Sequence, residues 1–288
     1  MSHNFKNWPI VTGLTLVTIP ILFMYVFLFV DTVTDTLPGE MIPNRFTLEH
    51  WRFLWVNIEG KASVWLAMLN TMIFASSVTL IVLSVSSTAS YAISRLNIPF
   101  RKEFMAGILM LHAFRSITLI IAIFLILQMV GLYNTLIGVI LVKASLQLPL
   151  GIWIMKGFYD SVPWEIEMAG IQDGASRFTV WYRLVLPQVR PGFFALGLFS
   201  FLEGWSEYIL PAVLAPANDV QMLSVYLASL IADDQHFDFN LFKSVGLFYA
   251  IPVIIFYLLF ACTGLYWSYD WWRAGMFKVM GVEQPQRN

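Results

Sequence analysis

Six long apolar stretches dominate this 288-residue chain, and they leave few folds open to it. They run over about 10–30, 64–93, 104–130, 136–154, 193–214 and 245–267. A helix needs roughly 20 mostly apolar residues to cross a bilayer. In lipid every backbone N–H and C=O must be paired within its own structure, so such stretches fold as helices. Composition agrees. Hydrophobic residues make up 58% of the chain and charged ones 12%, against about 25% charged in a soluble domain. Half the usual charge density does not clothe a soluble surface of this size. Cys262 is the lone cysteine, which excludes an internal disulfide framework or a cysteine-based metal cluster. A net charge of −1 argues against nucleic acid as a partner. The expected fold class is an all-α integral membrane protein with six transmembrane helices. No internal repeat or low-complexity segment is visible, so residues 1–288 are read as one membrane domain.

Six spans put both termini on one side, and basic residues choose which. Lys6, Arg95, Arg101, Lys102, Lys156, Arg177, Arg183, Arg190, Arg273, Lys278 and Arg287 fall on the side of the termini. Arg45, Arg52, Lys61 and Lys243 fall on the other. The larger set marks the cytoplasmic face. The first stretch is long, lacks a small-residue cleavage site and is followed by five more, so it reads as a retained helix rather than a signal peptide. The second stretch carries Ala75, Ser76, Ser77, Thr79, Ser84, Ser86, Ser87, Thr88, Ala89 and Ser90. Small residues four apart let helices approach closely in lipid. Bundle packing and a pore-lining role for some hydroxyls both fit this pattern.

The loop over 157–191 has helix signals of its own. Pro163 suits a first helical position. Glu165 and Glu167 fall in the first turn, where carboxylates interact well with the helix dipole. Trp164, Met168, Ile171 and Ala175 share one helical face. Gly174 can take the left-handed conformation that ends a helix. Ser176 can cap a second short helix that runs toward Leu186 and stops at Pro187. The loop is expected to be a helix–glycine–helix unit with an exposed apolar stripe, which either docks onto a partner or packs on the membrane ends of its own chain.

The run Glu165-Ile166-Glu167-Met168-Ala169-Gly170-Ile171-Gln172-Asp173-Gly174-Ala175-Ser176-Arg177, followed by Leu184-Val185-Leu186-Pro187, resembles the cytoplasmic loop of ABC importer permeases. It is similar in particular to the carbohydrate-uptake, maltose-type branch. Leu69-Asn70-Thr71, Ser90 to Arg95, Gly131 to Thr135 and Trp205-Ser206-Glu207-Tyr208 resemble further family stretches, in the family's order. Two features depart from the pattern. Met168 stands where the family carries a glutamate, with Glu167 one position early, and the Trp271 to Met276 ending differs from the maltose-type one.

The resemblance implies the type I ABC importer permease fold in a bacterial inner membrane. It implies a second permease subunit, with a heterodimer favoured, two ATPase subunits that hold ATP and Mg, and an extracytoplasmic substrate-binding protein. No cofactor is expected on this chain. The substrate class implied is a sugar, polyol or sugar derivative; an importer for another small solute is the alternative. The residues implied in ATPase coupling are Trp164, Glu167, Met168, Ala169, Gly170, Ile171, Asp173, Gly174 and Ala175. Small Ala169 and Gly170 would allow close approach, and Met168 is an adaptable apolar knob.

Ionisable groups within the bilayer are functional candidates, because insertion of one costs about 2.5–3.5 kcal/mol. At 1.5 Å per residue Arg115 lies roughly 16 Å into the third stretch and Glu203 roughly 15 Å into the fifth. His112 sits about one turn below Arg115, Glu207 one turn beyond Glu203, and Lys143 roughly 10 Å in from the outer side. Arg115 and Glu203 are expected to pair across a helix interface or to face a cavity together. The resemblance makes Arg115, His112, Glu203, Trp205, Glu207 and Asn70 the candidates for the translocation route. The outer segment Ala217 to Asn240, with Asp219, Asp233, Asp234, His236 and Asp238, fits no EF-hand spacing and reads as a solvated docking surface.

No Walker A, His-Glu-x-x-His or Gly-x-Ser-x-Gly pattern occurs, so ATP binding by a P-loop, zinc proteolysis and an esterase elbow are excluded. An intramembrane enzyme using Arg115, Glu203 and His112 remains a competing class. A stand-alone carrier would show inverted repeats, and none is visible.

Overall fold

The computed structural model describes residues 8–34, 45–58, 61–96, 99–112, 116–232 and 238–280, with side chains between 12 and 259. Eleven α-helices follow one another along these residues: α1 (Trp8–Thr32), α2 (Val64–Arg95), α3 (Arg101–His112), α4 (Ser116–Val130), α5 (Leu136–Asp160), α6 (Trp164–Gln172), α7 (Arg177–Val180), α8 (Arg190–Trp205), α9 (Ile209–Leu214), α10 (Leu223–Ile231) and α11 (Phe239–Met280). A 3₁₀ turn covers Glu49–Leu54, and a π turn over Trp181–Val185 continues α7. The described residues hold no β-strand, only an isolated antiparallel bridge between Thr34 and Phe46.

Among the described residues four helices are long and apolar enough to cross a bilayer, and up to six spans result if each of two bent helix pairs counts as one: α3 with α4, and the segment 177–185 with α8. The third apolar stretch is divided between α3 and α4, and the fifth separately breaks between α8 and α9. The sixth begins earlier and runs further than expected, as the 42-residue α11. It runs on through the aromatic residues Tyr266 to Trp272 without a proline to stop it. In the fifth stretch Pro211 accounts for the break, because proline in a continuous helix would remove a backbone donor and clash one turn back.

The chain divides into two compact units. The first comprises Met1–Trp65 and Tyr226–Pro252. Helix α1 is apolar all round and its described side chains are largely exposed, as suits a helix solvated by lipid. At its end Asp31 is ion-paired with Lys243, and the Thr32 carbonyl accepts from Trp51 Nε1 at 3.1 Å. Lys61 Nζ donates to the Ser229 carbonyl at 2.9 Å. The Phe248 ring meets Phe53 and Trp65 edge-on at 6.0 and 5.6 Å.

The second unit comprises Leu66–Val225 and Val253–Asn288. Helix α5 is its centre and packs against α3, α4, α8 and α9. The core joins Phe74, Val78 and Val82 of α2, Val139, Ala144 and Met155 of α5, Leu196 of α8 and Leu210 of α9. Small residues set the helix spacing. A Cβ on Gly151 of α5 would lie 2.5 Å from Ser86 Oγ of α2, and one on Gly204 of α8 would lie 3.1 Å from Ala75 Cα. The small residues of α2 therefore serve close packing where they are buried. Ser90 Oγ donates to the Ile152 carbonyl at 2.8 Å, and Ser87 Oγ lies 2.8 Å from Tyr159 Oη.

Candidate functional site

Two clusters collect most of the functional candidates: the loop unit, and a set of charges on α5, on α8 and in the break after α8. The loop unit forms much as its sequence dictates. Trp164 opens α6, with Pro163 as the residue before it rather than the first within it. Gly174 takes φ +84°, a left-handed conformation that an L side chain resists, and this turns the chain after α6. Ser176 Oγ then accepts from the Thr179 backbone N–H at 3.2 Å and caps α7.

The two faces of α6 differ. Trp164, Met168 and Ile171 are exposed, as the periodicity requires, and Ala169 and Asp173 are exposed with them. Glu167 and Gly170 are buried. Both are coupling candidates that face inward, away from the exposed stripe. Gly170 faces the second short helix, where a Cβ would lie 2.7 Å from Leu184 and 3.0 Å from Val180. Glu167 meets the end of α2. Its Oε1 lies 2.6 Å from Arg95 Nε, with the two side chains only 4% and 8% exposed. Tyr91 Oη donates to its other oxygen at 3.4 Å. Arg95 Nη2 also donates to the carbonyls of Tyr159 and Val162, at 3.1 and 2.7 Å. Its guanidinium lies 5.5 Å from the centre of the Trp164 ring. Trp181 Nε1 donates to Tyr159 Oη at 3.2 Å. One arginine thus ties the ends of α2 and α5 to the loop unit. Ala175, partly buried, packs against the same core.

Arg115, expected to lie with Glu203, is outside the described residues. Glu203 accepts from Gln147 Nε2 at 2.7 Å and lies 3.7 Å from Lys143 Nζ. Lys143 makes a closer pair with Glu207, at 2.6 Å. Ser200 Oγ donates to Gln147 Oε1 at 2.9 Å, which fixes the amide so that its NH₂ faces Glu203. Glu207 also accepts from the Leu210 backbone N–H at 3.3 Å, so it caps α9 where the fifth stretch breaks. Irregular backbone at membrane depth is tolerated where protein or a polar cavity satisfies it, and here Glu207 supplies that satisfaction. The side chains of Lys143 and Glu207 are 12% and 11% exposed, whereas Glu203 is 49% exposed. One carboxylate therefore remains open while the other is consumed by structure. A small cavity beside it is lined by Gln147, Gly151, Ser200 and Glu203.

Lys143 and Gln147 are one turn apart on α5; Glu203 lies on α8, and Glu207 follows four residues later in the break between α8 and α9. Two polar pairs at that spacing in adjacent apolar stretches were the available signal for this match. The remaining candidates separate from it. Asn70 is buried and donates to the carbonyls of Asp219 and Gln221, at 2.9 and 3.2 Å, so it holds a loop in place. Trp205 is buried and stacks on Phe201 at 5.9 Å. His112 is exposed at the end of α3. Asp233, Asp234 and His236 lie outside the described residues, and Asp238 Oδ1 accepts from Asn240 N at 2.9 Å at the start of α11. Among the described residues no group of three His, Cys, Asp or Glu side chains is placed to hold a metal.

The chain is 28% identical to the diacetylchitobiose uptake system permease protein NgcG of Streptomyces coelicolor, over 85% of this chain and 80% of that one. It is 26% identical to the trehalose transport system permease protein SugB of Mycobacterium tuberculosis, over 80% and 82% of the two chains. Its fold matches a chain of a bacterial ABC transporter involved in the import of the acidic polysaccharide alginate, with a TM-score of 0.75, 20% identity, and coverage of 90% of this chain and 97% of that one. The family described as binding-protein-dependent transport system inner membrane component matches residues 108–276. That is more than half of the chain, and the chain belongs to this family of transport permeases.

Proposed function

We propose that this chain is the membrane-spanning subunit of an ATP-driven importer for a sugar, polyol or sugar derivative. The names of its relatives support the substrate class: diacetylchitobiose, trehalose and maltodextrin permeases are among them. The observation that carries the mechanism is the two-faced α6, with Trp164, Met168 and Ile171 outward and Glu167 locked inward on Arg95. The outward stripe seats in a cytoplasmic ATPase subunit. The inward lock makes the loop move with the ends of α2 and α5, so a displacement of the ATPases reaches the spans as a rigid shift. The ATP and Mg belong to two ATPase partners, and this chain carries no cofactor. A second permease completes the route, and an extracytoplasmic binding protein delivers the substrate. The loop and both termini face the cytoplasm, where most of the basic residues collect.

Glu203, backed by Gln147, Ser200 and Lys143, is the pathway residue we favour. An exposed carboxylate accepts hydrogen bonds from substrate hydroxyls, and the cluster of one lysine and two glutamates does not attract an anion. Arg115 and His112 are proposed as further lining residues. The test is uptake into proteoliposomes that hold the complete transporter and its binding protein, with labelled diacetylchitobiose, trehalose and maltodextrin offered in turn. ATP-dependent uptake of one of them supports the reading. Uptake without ATP, or substrate turnover by the chain alone, overturns it.

A further inference from the structure

The segment after Gly174 carries a charge pattern that the coupling proposed above leaves unassigned. Residues 177–190 include Arg177, Arg183 and Arg190 and no Asp or Glu. All three arginines are exposed. None of them takes part in an ion pair among the described residues. The short helix and its π turn meet α8 at 78°, and an open cavity of about 590 Å³ lies at this elbow. Tyr182, Arg183, Leu186, Pro187, Arg190 and Phe193 line it. Beside it Phe178 and Tyr182 are 70% and 59% exposed and stack in parallel at 6.4 Å. The exposed stripe of α6 lies on the other side of Gly174.

Two guanidiniums over an apolar floor, with aromatic rings at their edge and a membrane helix beginning at Arg190, match one kind of ligand. Arginine binds phosphate bidentately. Aromatic side chains concentrate at the level of the headgroups. Basic pockets at the cytoplasmic ends of spans hold anionic headgroups. An acidic protein partner would supply the charge but not the apolar chains that Leu186, Pro187 and Phe193 call for. We propose that this elbow binds the phosphate headgroup of an anionic phospholipid of the cytoplasmic leaflet. The lipid holds the return limb of the loop at the membrane surface while α6 engages the ATPase. The proposal rests on the cytoplasmic placement of the loop, but its readout is lipid retention and not transport, so the two can fail separately.

The experiment takes the purified permease, with the chains that co-purify with it, in nanodiscs of phosphatidylcholine with or without phosphatidylglycerol. Retained lipids are counted by native mass spectrometry as detergent replaces the disc. Wild type should keep phosphatidylglycerol in preference to phosphatidylcholine. Arg183→Gln with Arg190→Gln should lower that preference by roughly thirtyfold, from the contribution of each basic residue near an anionic surface. Arg183→Lys with Arg190→Lys should keep most of it, and Arg45→Gln with Arg52→Gln should leave it intact. Absence of any preference in wild type overturns the proposal without recourse to a variant. So do an unchanged preference in the double Gln variant, displacement of the lipid by inorganic phosphate, which marks a small-anion site, and displacement by added ATPase subunits, which marks a protein interface.

Discussion

Glu167→Gln is the most informative single change, because it removes one charge and almost no volume. In the native chain the carboxylate lies 2.6 Å from Arg95 Nε, and neither side chain is more than 8% exposed. Breaking a buried pair by removing one partner costs about 3–5 kcal/mol, since the remaining charge stays buried without its counter-ion. An exposed pair would contribute at most about 1 kcal/mol. Arg95 keeps its bonds to the Tyr159 and Val162 carbonyls, at 3.1 and 2.7 Å. The lower end of the range, about 3 kcal/mol, is therefore the better figure. That corresponds to roughly a hundredfold shift toward a loop detached from α2. Hydrogen exchange should show the amides of 164–172 losing protection by about that factor, while those of α2 and α5 change little. In the assembled transporter, binding-protein-stimulated ATP hydrolysis should fall while unstimulated hydrolysis persists. Glu167→Asp, which keeps the charge but shortens the reach, should give an intermediate result. Native protection of 164–172 together with native stimulation in Glu167→Gln would show that the ion pair does not hold the loop.

Three further outcomes follow from the geometry. Gly174→Val should destabilise the loop by about 1–2 kcal/mol from its φ of +84° alone, because nothing lies within 4 Å of the added Cβ; Gly174→Asn should cost much less, and thermal unfolding of the two variants checks the order. Lys143→Met should lower the yield of assembled transporter, since it leaves Glu203 and Glu207 without their cation, and adding Glu207→Gln should recover part of the yield. Met168→Asp on the exposed stripe should leave membrane insertion unchanged and abolish co-purification of the ATPase subunits; retained co-purification would place the docking surface elsewhere.

The spans were legible because a bilayer demands long apolar helices: apolar runs mark where α2 and α5 begin, and Pro163 with the acidic first turn marks the start of α6 to within a residue. Gly174 and Ser176 were legible for a similar reason: the left-handed turn and the cap are local demands that a few adjacent residues meet. Where helices break at membrane depth was less so. Pro211 disfavours a continuous helix there, but hydropathy is the same on both sides of residues 206–208 and does not show that Glu207 turns back to satisfy the Leu210 N–H at 3.3 Å.

The charges show the limit most clearly. Composition and hydropathy mark Glu203, Glu207 and Lys143 as costly, since a charge in lipid needs a partner wherever the chain goes. They do not say which partner. The Lys143 pairs and the Arg95–Glu167 pair join residues far apart in the chain, and the packing of α5 against α8 and of α6 against α2 brings them together. The same holds for α6, whose period announces an apolar face but cannot tell that Glu167 and Gly170 turn inward. Local pattern records how much apolar surface and how many charges must be buried. Which charge meets which follows from helix packing, where approach distances set by residues such as Gly151 and Gly204 choose the neighbours.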